Sequence, residues 1–349
     1  MERKNNIEVD VLIIHLSGEE IIRNCLKSIY NNSKDIKFGI RLLLNNSKDN
    51  SEEIVKKEFP EVKIIKTDKT IGFAEASNIL AKSSSAEYIV FLNNDVIVEN
   101  RWLNEMLKTI KKHSKCVACQ PKIKSYYERN KFEYAGAAGG FIDIYGYPFC
   151  RGRIFGSIEE DFGQYNNERR IFWGCGVCLF VKREYFIKSG MFDENFFMYG
   201  EETDFCWRAN LYGKEIWYSP KSVIYHIGSY SVKKSKSNLK KEYLHSRNHI
   251  IILLKNYSAW NLLKILPIKL CLEMISAIRF FPKKTFGTLM SFITLPFELT
   301  ANIIKERRKI QRNRKLKDEM LAELIYHKSI ALSHFLNGKN KFNEIKLGK

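Results

Sequence analysis

Three places in this chain carry side chains suited to chemistry on a phosphorylated substrate. The apolar run Tyr88-Ile-Val-Phe-Leu92 ends in Asn93-Asn94-Asp95. An acidic residue at the end of such a strand suits Mg2+ or Mn2+, hard cations that take oxygen ligands and can bridge a diphosphate. The same Asn-Asn-Asp also reads as a turn or a helix cap. His226 closes a second strand-like run, Ser222-Val-Ile-Tyr225. Alone it reads as a structural histidine; with Asp95 it makes a Mn2+ pair. The third place, Glu201-Glu202-Thr203-Asp204, lies between the aromatic clusters Phe196–Tyr199 and Phe205–Trp207. Carboxylates among aromatics are held above their usual pKa range, as a general base requires. The acidic first turn of a helix beginning near Glu201 accounts for the same cluster through the helix dipole, and would also fix the carboxylates in place.

The elements that must position these residues follow from periodicity. Val9–His15, Gly39–Leu44, Val62–Ile65 and Tyr88–Leu92 are short β-branched or apolar runs. Between and after them Glu19–Tyr30, Glu52–Phe59, Phe73–Lys82 and Trp102–Lys112 show helical spacing. Strands alternating with helices predict a parallel three-layer α/β sheet, with ligands at the carboxyl ends of the strands. His15, Asn45 and Asn93–Asp95 fall at those ends. From Tyr126 to Arg170 the pattern weakens into a glycine-rich stretch, which reads as a functional lid or a flexible insertion. After Ser231 come a basic run (Lys233, Lys234, Lys236, Lys240, Lys241), apolar helical segments at Ile250–Leu254, Trp260–Leu272 and Phe286–Phe297, and KERRKIQRNRKLKD over residues 305–318.

The totals set limits. With 349 residues, 45% hydrophobic and 13% aromatic, the chain builds a packed core and is not disordered. A formal net charge of +19 implies an anionic partner, beyond the share that is solvated lysine surface. Nucleic acid is one such partner, yet the basic clusters lie outside the α/β region and no nucleic-acid-binding motif is present. Cys116-x-x-Cys119 and Cys175-x-x-Cys178 have the spacing of metal pairs, but in strands that spacing puts the two thiols on opposite faces, so buried free thiols are expected. No signal peptide and no apolar stretch of spanning length is visible, and the expected location is cytoplasmic.

The chain resembles glycosyltransferase family 2, inverting enzymes with the GT-A fold, and within it the rhamnosyltransferase-like branch. The resemblance covers about residues 8–231 and rests on Ile13–Ser17, Leu43–Ser51, Ile71–Asn78, Leu92–Asp95 and the block Phe172–Ser231, in the family's order. It implies a GT-A catalytic domain over residues 1–231 and a helical, basic C-terminal region over 232–349. It further implies a metal-dependent hexosyltransferase of surface-polysaccharide biosynthesis, with a dTDP- or UDP-sugar donor and a glycan or lipid-linked acceptor. Asp95 and His226 match the residues that hold Mn2+ or Mg2+. Glu202 matches the base that deprotonates the acceptor, with Glu201 and Asp204 orienting it or contacting the acceptor. His15, Ser17, Asn45, Gly72, Asn78, Asn93 and Asn94 match positions around the nucleotide sugar. Trp173, Gly174 and Gly176 match a sugar-facing wall.

Three positions depart from the family pattern: Asn93 and Asn45 stand where Asp is usual, and Glu202 replaces the customary Asp. These departures admit a second reading, a non-catalytic glycan- or lipid-binding module on a degenerate transferase fold. Residues 232–349 suit either a peripheral attachment to a membrane surface or a helical subdomain buried internally or in a homo-oligomer.

Overall fold

The computed structural model describes residues 7–228, 238–298 and 301–348. Lys233, Lys234 and Lys236 of the basic run, the domain boundary at 231/232 and the end of the block at Ser229–Ser231 lie outside the described residues.

Four strands, β1 (Val9–His15), β2 (Phe38–Asn45), β3 (Lys63–Thr67) and β4 (Tyr88–Asn93), alternate with helices α1 (Glu19–Asn32), α2 (Ser51–Glu58) and α3 (Phe73–Ser83). β1 pairs in parallel with β2 and β4, and β2 with β3. β1 is apolar and buried on both faces, as a central parallel strand must be. α3 packs closely on the sheet because its inner positions are small: Ala74, Ala76, Ser77 and Ala81 are buried.

The sheet then continues in mixed fashion. β5 (Val96–Val98), helix α4 (Trp102–Lys112) and β6 (Cys116–Ser125) follow. Next come β7 (Gly140–Asp143), β8 (Pro148–Cys150), β9 (Arg153–Ile154), β10 (Ser157–Ile158), β11 (Arg169–Ile171) and β12 (Cys178–Lys182). The last elements of this part are α5 (Arg183–Lys188), α6 (Glu201–Leu211) and β13 (Glu215–His226). β12 inserts antiparallel between β4 and β6, while β13 runs parallel to β6 and carries His226 to the same end as Asp95. The order is β11-β13-β6-β12-β4-β1-β2-β3, with β5 on β13.

The glycine-rich stretch is not a loose lid. It holds β7–β10, which with β14 (Ile325–Tyr326) form a second sheet in the order β10-β9-β8-β7-β14. Its strands are two to four residues long, too short to show a period, and are separated by glycines at positive φ such as Gly146 and Gly152.

Nor is the C-terminal region a separate body. β14 pairs with β7, and Ile251, Leu253, Tyr257, Leu321, Tyr326 and Phe342 belong to the same buried core as the sheet. Its helices are Asn238–Asn256, Ala259–Arg279, Lys283–Glu298 and Ala301–Asn313, followed by Ile330–Phe335. No single helix among the described residues is long and apolar enough to cross a membrane. Cys116, Cys119, Cys175 and Cys178 are buried free thiols.

Candidate active site

The strand ends converge on two clusters. In the first, Asp95 Oδ1 lies 3.2 Å from His226 Nε2, and Asn93 Nδ2 lies 3.5 Å from the same nitrogen. The pairing of β5 with β13 sets this contact, since His226 sits opposite Val96 and Ile227 donates to the Asp95 carbonyl at 2.9 Å. On the far side, His226 Nδ1 faces Glu133 Oε1 at 3.8 Å, beyond hydrogen-bond reach, and has no hydrogen-bond partner. Burial alone would lower the His226 pKa, but the carboxylates of Asp95 and Glu133 outweigh it and push the group up to about 9. Among the described residues no group of three or more His, Cys, Asp or Glu side chains is gathered to hold a metal ion.

The second cluster stands at the start of α6, behind Gly200 at φ 97°. Glu201 is buried and Glu202 partly so, and the Oε2 atom of each is buried without a hydrogen-bond partner. Burial, and then the charge of Glu202, raise Glu201 well above the usual carboxyl range. Glu202 is also raised by burial, against the pull of backbone N–H groups at Glu202, Gly176, Gly200 and Thr203. Four backbone N–H groups favour the charged form of Glu202, against one, its own, for Glu201.

A single turn joins the clusters. A Cβ on Gly176 would stand 4.0 Å from Glu202 Cδ and 3.4 Å from the Phe73 ring, while Val177 accepts the Asn93 N–H at 3.0 Å. Gln120 holds this turn: its Oε1 accepts from Cys175 N at 2.8 Å and its Nε2 donates to the Gly136 carbonyl at 2.9 Å.

Several residues expected at the ligand brace the site instead. His15 is fully buried; Asn94 donates to its Nδ1 at 2.8 Å, so its Nε2–H donates to Ser51 Oγ at 2.9 Å. Burial, against the charge of Asp49, presses its pKa down to about 4, and it stays neutral. Ser17 is half-buried beside Gly18, whose N–H donates to Asp49 at 2.7 Å. The Asn45 amide closes on both backbone groups of Ile71, donating to its carbonyl at 3.0 Å and accepting its N–H at 2.9 Å. An Asp there would repel that carbonyl, which explains the Asn. Asn78 likewise bonds both backbone groups of Phe192 and also Glu194. Gly72 is required by approach: a Cβ there would meet the Phe197 carbonyl oxygen at 2.6 Å.

Two expectations are corrected. Trp173 is buried, donates to the Phe141 carbonyl at 2.9 Å, and lies flat on Gly140, where a Cβ would come within 2.1 Å of the ring. It is core, not a wall for sugar. Gly174 packs the same way, against Leu179. Asp204 is fully buried and spent on Arg208 Nε (2.9 Å), Lys255 Nζ (3.0 Å) and Asn256 Nδ2 (2.9 Å), so it touches no acceptor. Burial alone would raise its pKa, yet those cations hold it below the usual range.

Sequence reasoning missed Glu133, Gln120 and Asn248, whose Nδ2 donates to the carbonyls of Met198 (2.9 Å) and Tyr199 (2.7 Å) just before the acidic pair. Gln120, a polar residue inside the apolar run from Cys116 to Ile123, was the one with a visible signal.

A mixed sheet flanked by helices, with acidic and histidine side chains at its strand ends, defines a protein of the GT-A fold. The chain belongs to glycosyltransferase family 2, whose model, "Glycosyl transferase family 2", matches residues 10–189. It is 24% identical over 228 residues to the O-antigen biosynthesis protein RfbC of Myxococcus xanthus, covering 64% of this chain but 18% of that protein. To the N-acetylglucosaminyl-diphospho-decaprenol L-rhamnosyltransferase of Mycobacterium tuberculosis (strain H37Rv) it is 23% identical over 237 residues, covering 64% of this chain and 76% of the relative. Its fold is similar to that of GalNAc-T7, solved with UDP, GalNAc and Mn2+, with a TM-score of 0.57 and 14% identity over 74% of this chain and 49% of that one.

Proposed function

We propose that this chain is an inverting, metal-dependent glycosyltransferase in which Glu202 takes the proton from an acceptor hydroxyl. The acceptor oxygen forms a bond to the anomeric carbon of the donor sugar. The bond from that carbon to the nucleoside diphosphate breaks, and its electrons leave with the diphosphate. The observation that carries this reading is that one turn, Gly174–Val177, meets Glu202 at Gly176 and Asn93 at Val177, and the Asn93 side chain in turn reaches His226 of the Asp95–His226 pair. Base and diphosphate site then serve a single displacement.

A carboxylate oxygen and an imidazole nitrogen are donors that suit Mn2+ or Mg2+, and His226 would have to give up its proton to hold one. Glu133, 3.8 Å behind His226 Nδ1, adds negative charge behind the imidazole without a hydrogen bond to it. When bound, the cation would neutralise charge on the departing diphosphate. Asp95 and His226 would hold it, while Asn93 and Asn94 add no charge and keep the turn in register with His226 and His15.

The relatives' names, a rhamnosyltransferase acting on a diphospho-polyprenol sugar and an O-antigen biosynthesis protein, support rhamnose as the transferred group, for which a dTDP- or UDP-sugar would be the donor. They also support a lipid-linked glycan as acceptor. Glu202→Gln tests the assignment. Transfer should fall by about 10²–10⁴-fold, while stabilisation by nucleoside diphosphate with Mn2+ is retained. In the wild type kcat/KM should rise with pH through a pKa above the ordinary 4.5 of a glutamate. Turnover undiminished in Glu202→Gln would remove it as the base.

A further inference from the structure

Two C-terminal helices are built inside out. In Ala259–Arg279 the outward apolar positions are Trp260, Leu263, Pro267, Ile268, Cys271, Met274, Ile275 and Ile278, a three-four stripe with the charges Lys264 and Arg279 exposed beside it. Its inward face instead buries the ion pair Lys269–Glu273 at 2.9 Å. In Lys283–Glu298 the outward positions are Phe286, Leu289, Met290, Ile293, Pro296 and Phe297, whereas Thr288 and Ser291 are buried. Ile275, Ile278, Ile293 and Phe297 are 62%, 74%, 62% and 82% exposed. Water selects the opposite arrangement, polar out and apolar in. An apolar stripe of this extent on two adjoining helices marks a surface that meets an apolar phase.

We propose that this hairpin docks the protein on an anionic lipid bilayer, its outward stripe lying in the interface without spanning. Among the described residues no single helix has the length and composition of a span, and the pair Lys284–Phe297 with Asn302–Asn313, which has them together, is bent by 81°. Charge identifies the occupant. From residue 259 to 297 the one carboxylate is Glu273, which is buried, while Lys264 and Arg279 are exposed beside the stripe and Lys264 lies over the Trp260 ring at 4.5 Å. Anionic headgroups complement such a rim. A second copy would bring like charges together.

The hairpin also has an address in the fold. Helix Asn238–Asn256 stands between it and the acidic pair. Ser246 bonds Thr288 and Tyr243 bonds Thr294, each at 3.1 Å, while Asn248 holds the carbonyls of Met198 and Tyr199. Docking therefore sets Glu202 one helix away from the lipid surface. That the surface delivers the acceptor rests on glycosyl transfer being the reaction; the docking itself rests on the exposure pattern and the charge beside it.

Flotation with phosphatidylglycerol-containing vesicles tests it, using the full chain and the double variant Ile275→Asp/Ile278→Asp, with Ile293→Asp as a second site. Both sites face outward, so the fold and stabilisation by UDP with Mn2+ should persist. The wild type should float with anionic vesicles, less with phosphatidylcholine alone. The double variant should lose vesicle affinity by roughly tenfold or more. Equal flotation of variant and wild type, or no flotation of the wild type, overturns the docking. So does a wild-type dimer that the same substitutions dissociate. Loss of UDP stabilisation with intact flotation would instead strike at the transferase reading.

Discussion

Asp204 separates two roles that look alike in sequence, an acceptor contact and a buried strut. Replace it with Asn. Arg208 and Lys255 both reach Oδ2, and Asn256 donates to Oδ1. With its oxygen toward the two cations, the Asn amide sets its NH2 against that of Asn256; one hydrogen bond is lost and one positive charge stays uncompensated. Breaking a buried ion pair costs about 3–5 kcal/mol. Asp193, 2.6 Å from Lys255, remains to share that charge, so about 3 kcal/mol is expected. Unfolding entropy of about 2.1 cal/mol/K per residue over 349 residues makes this a Tm loss of about 4 °C.

The pH dependence has a definite sign. A carboxyl whose folded pKa is depressed adds stability above its unfolded value of 3.8 and loses it as pH falls through the folded pKa. The gap between wild type and Asp204→Asn should therefore close on acidification. Calorimetry across pH, with transfer kinetics well below Tm, is the assay. An unchanged Tm with a raised acceptor KM would refute the strut and restore the acceptor contact.

Trp173→Phe should lower Tm by about 3–4 °C, through a lost hydrogen bond to the buried Phe141 carbonyl and a void costing about 2–3 kcal/mol, with acceptor KM unchanged; thermal melts and acceptor titrations check both. Asn45→Asp should destabilise by about 2 kcal/mol, because a carboxylate oxygen would face the Ile71 carbonyl at 3.0 Å. That loss should shrink at low pH, where a protonated carboxyl can donate, and melts at several pH values read it directly.

The alternation that builds β1 to β4 was legible because each run is long enough to show its period, and Asp95 and His226 were legible because each ends such a run. Glu201 and Glu202 were visible as an acidic pair, but their upward pKa shifts come from burial, opposed at Glu202 by N–H groups such as those of Gly176 and Gly200, which no local pattern encodes. Asp204 misled because its partners Lys255 and Asn256 arrive from a helix some fifty residues on. Trp173 misled because the glycine on which it lies, Gly140, sits in a stretch whose strands are too short to announce themselves. Glu133 lies in that same stretch, and nothing around it signals a role.

The pairing of β14 with β7 has a consequence in time. Asp143, at the end of β7, accepts the Ile330 N–H from 187 residues further along the chain. At about 5–20 residues per second, a ribosome needs on the order of 10–40 s to make the intervening segment. For that interval β7 is an open sheet edge beside a carboxylate lacking one of its donors, in a nascent chain whose main sheet is already assembling. Such an edge invites strand pairing with a neighbouring chain. The second sheet is thus closed only once the C-terminal segment has been made.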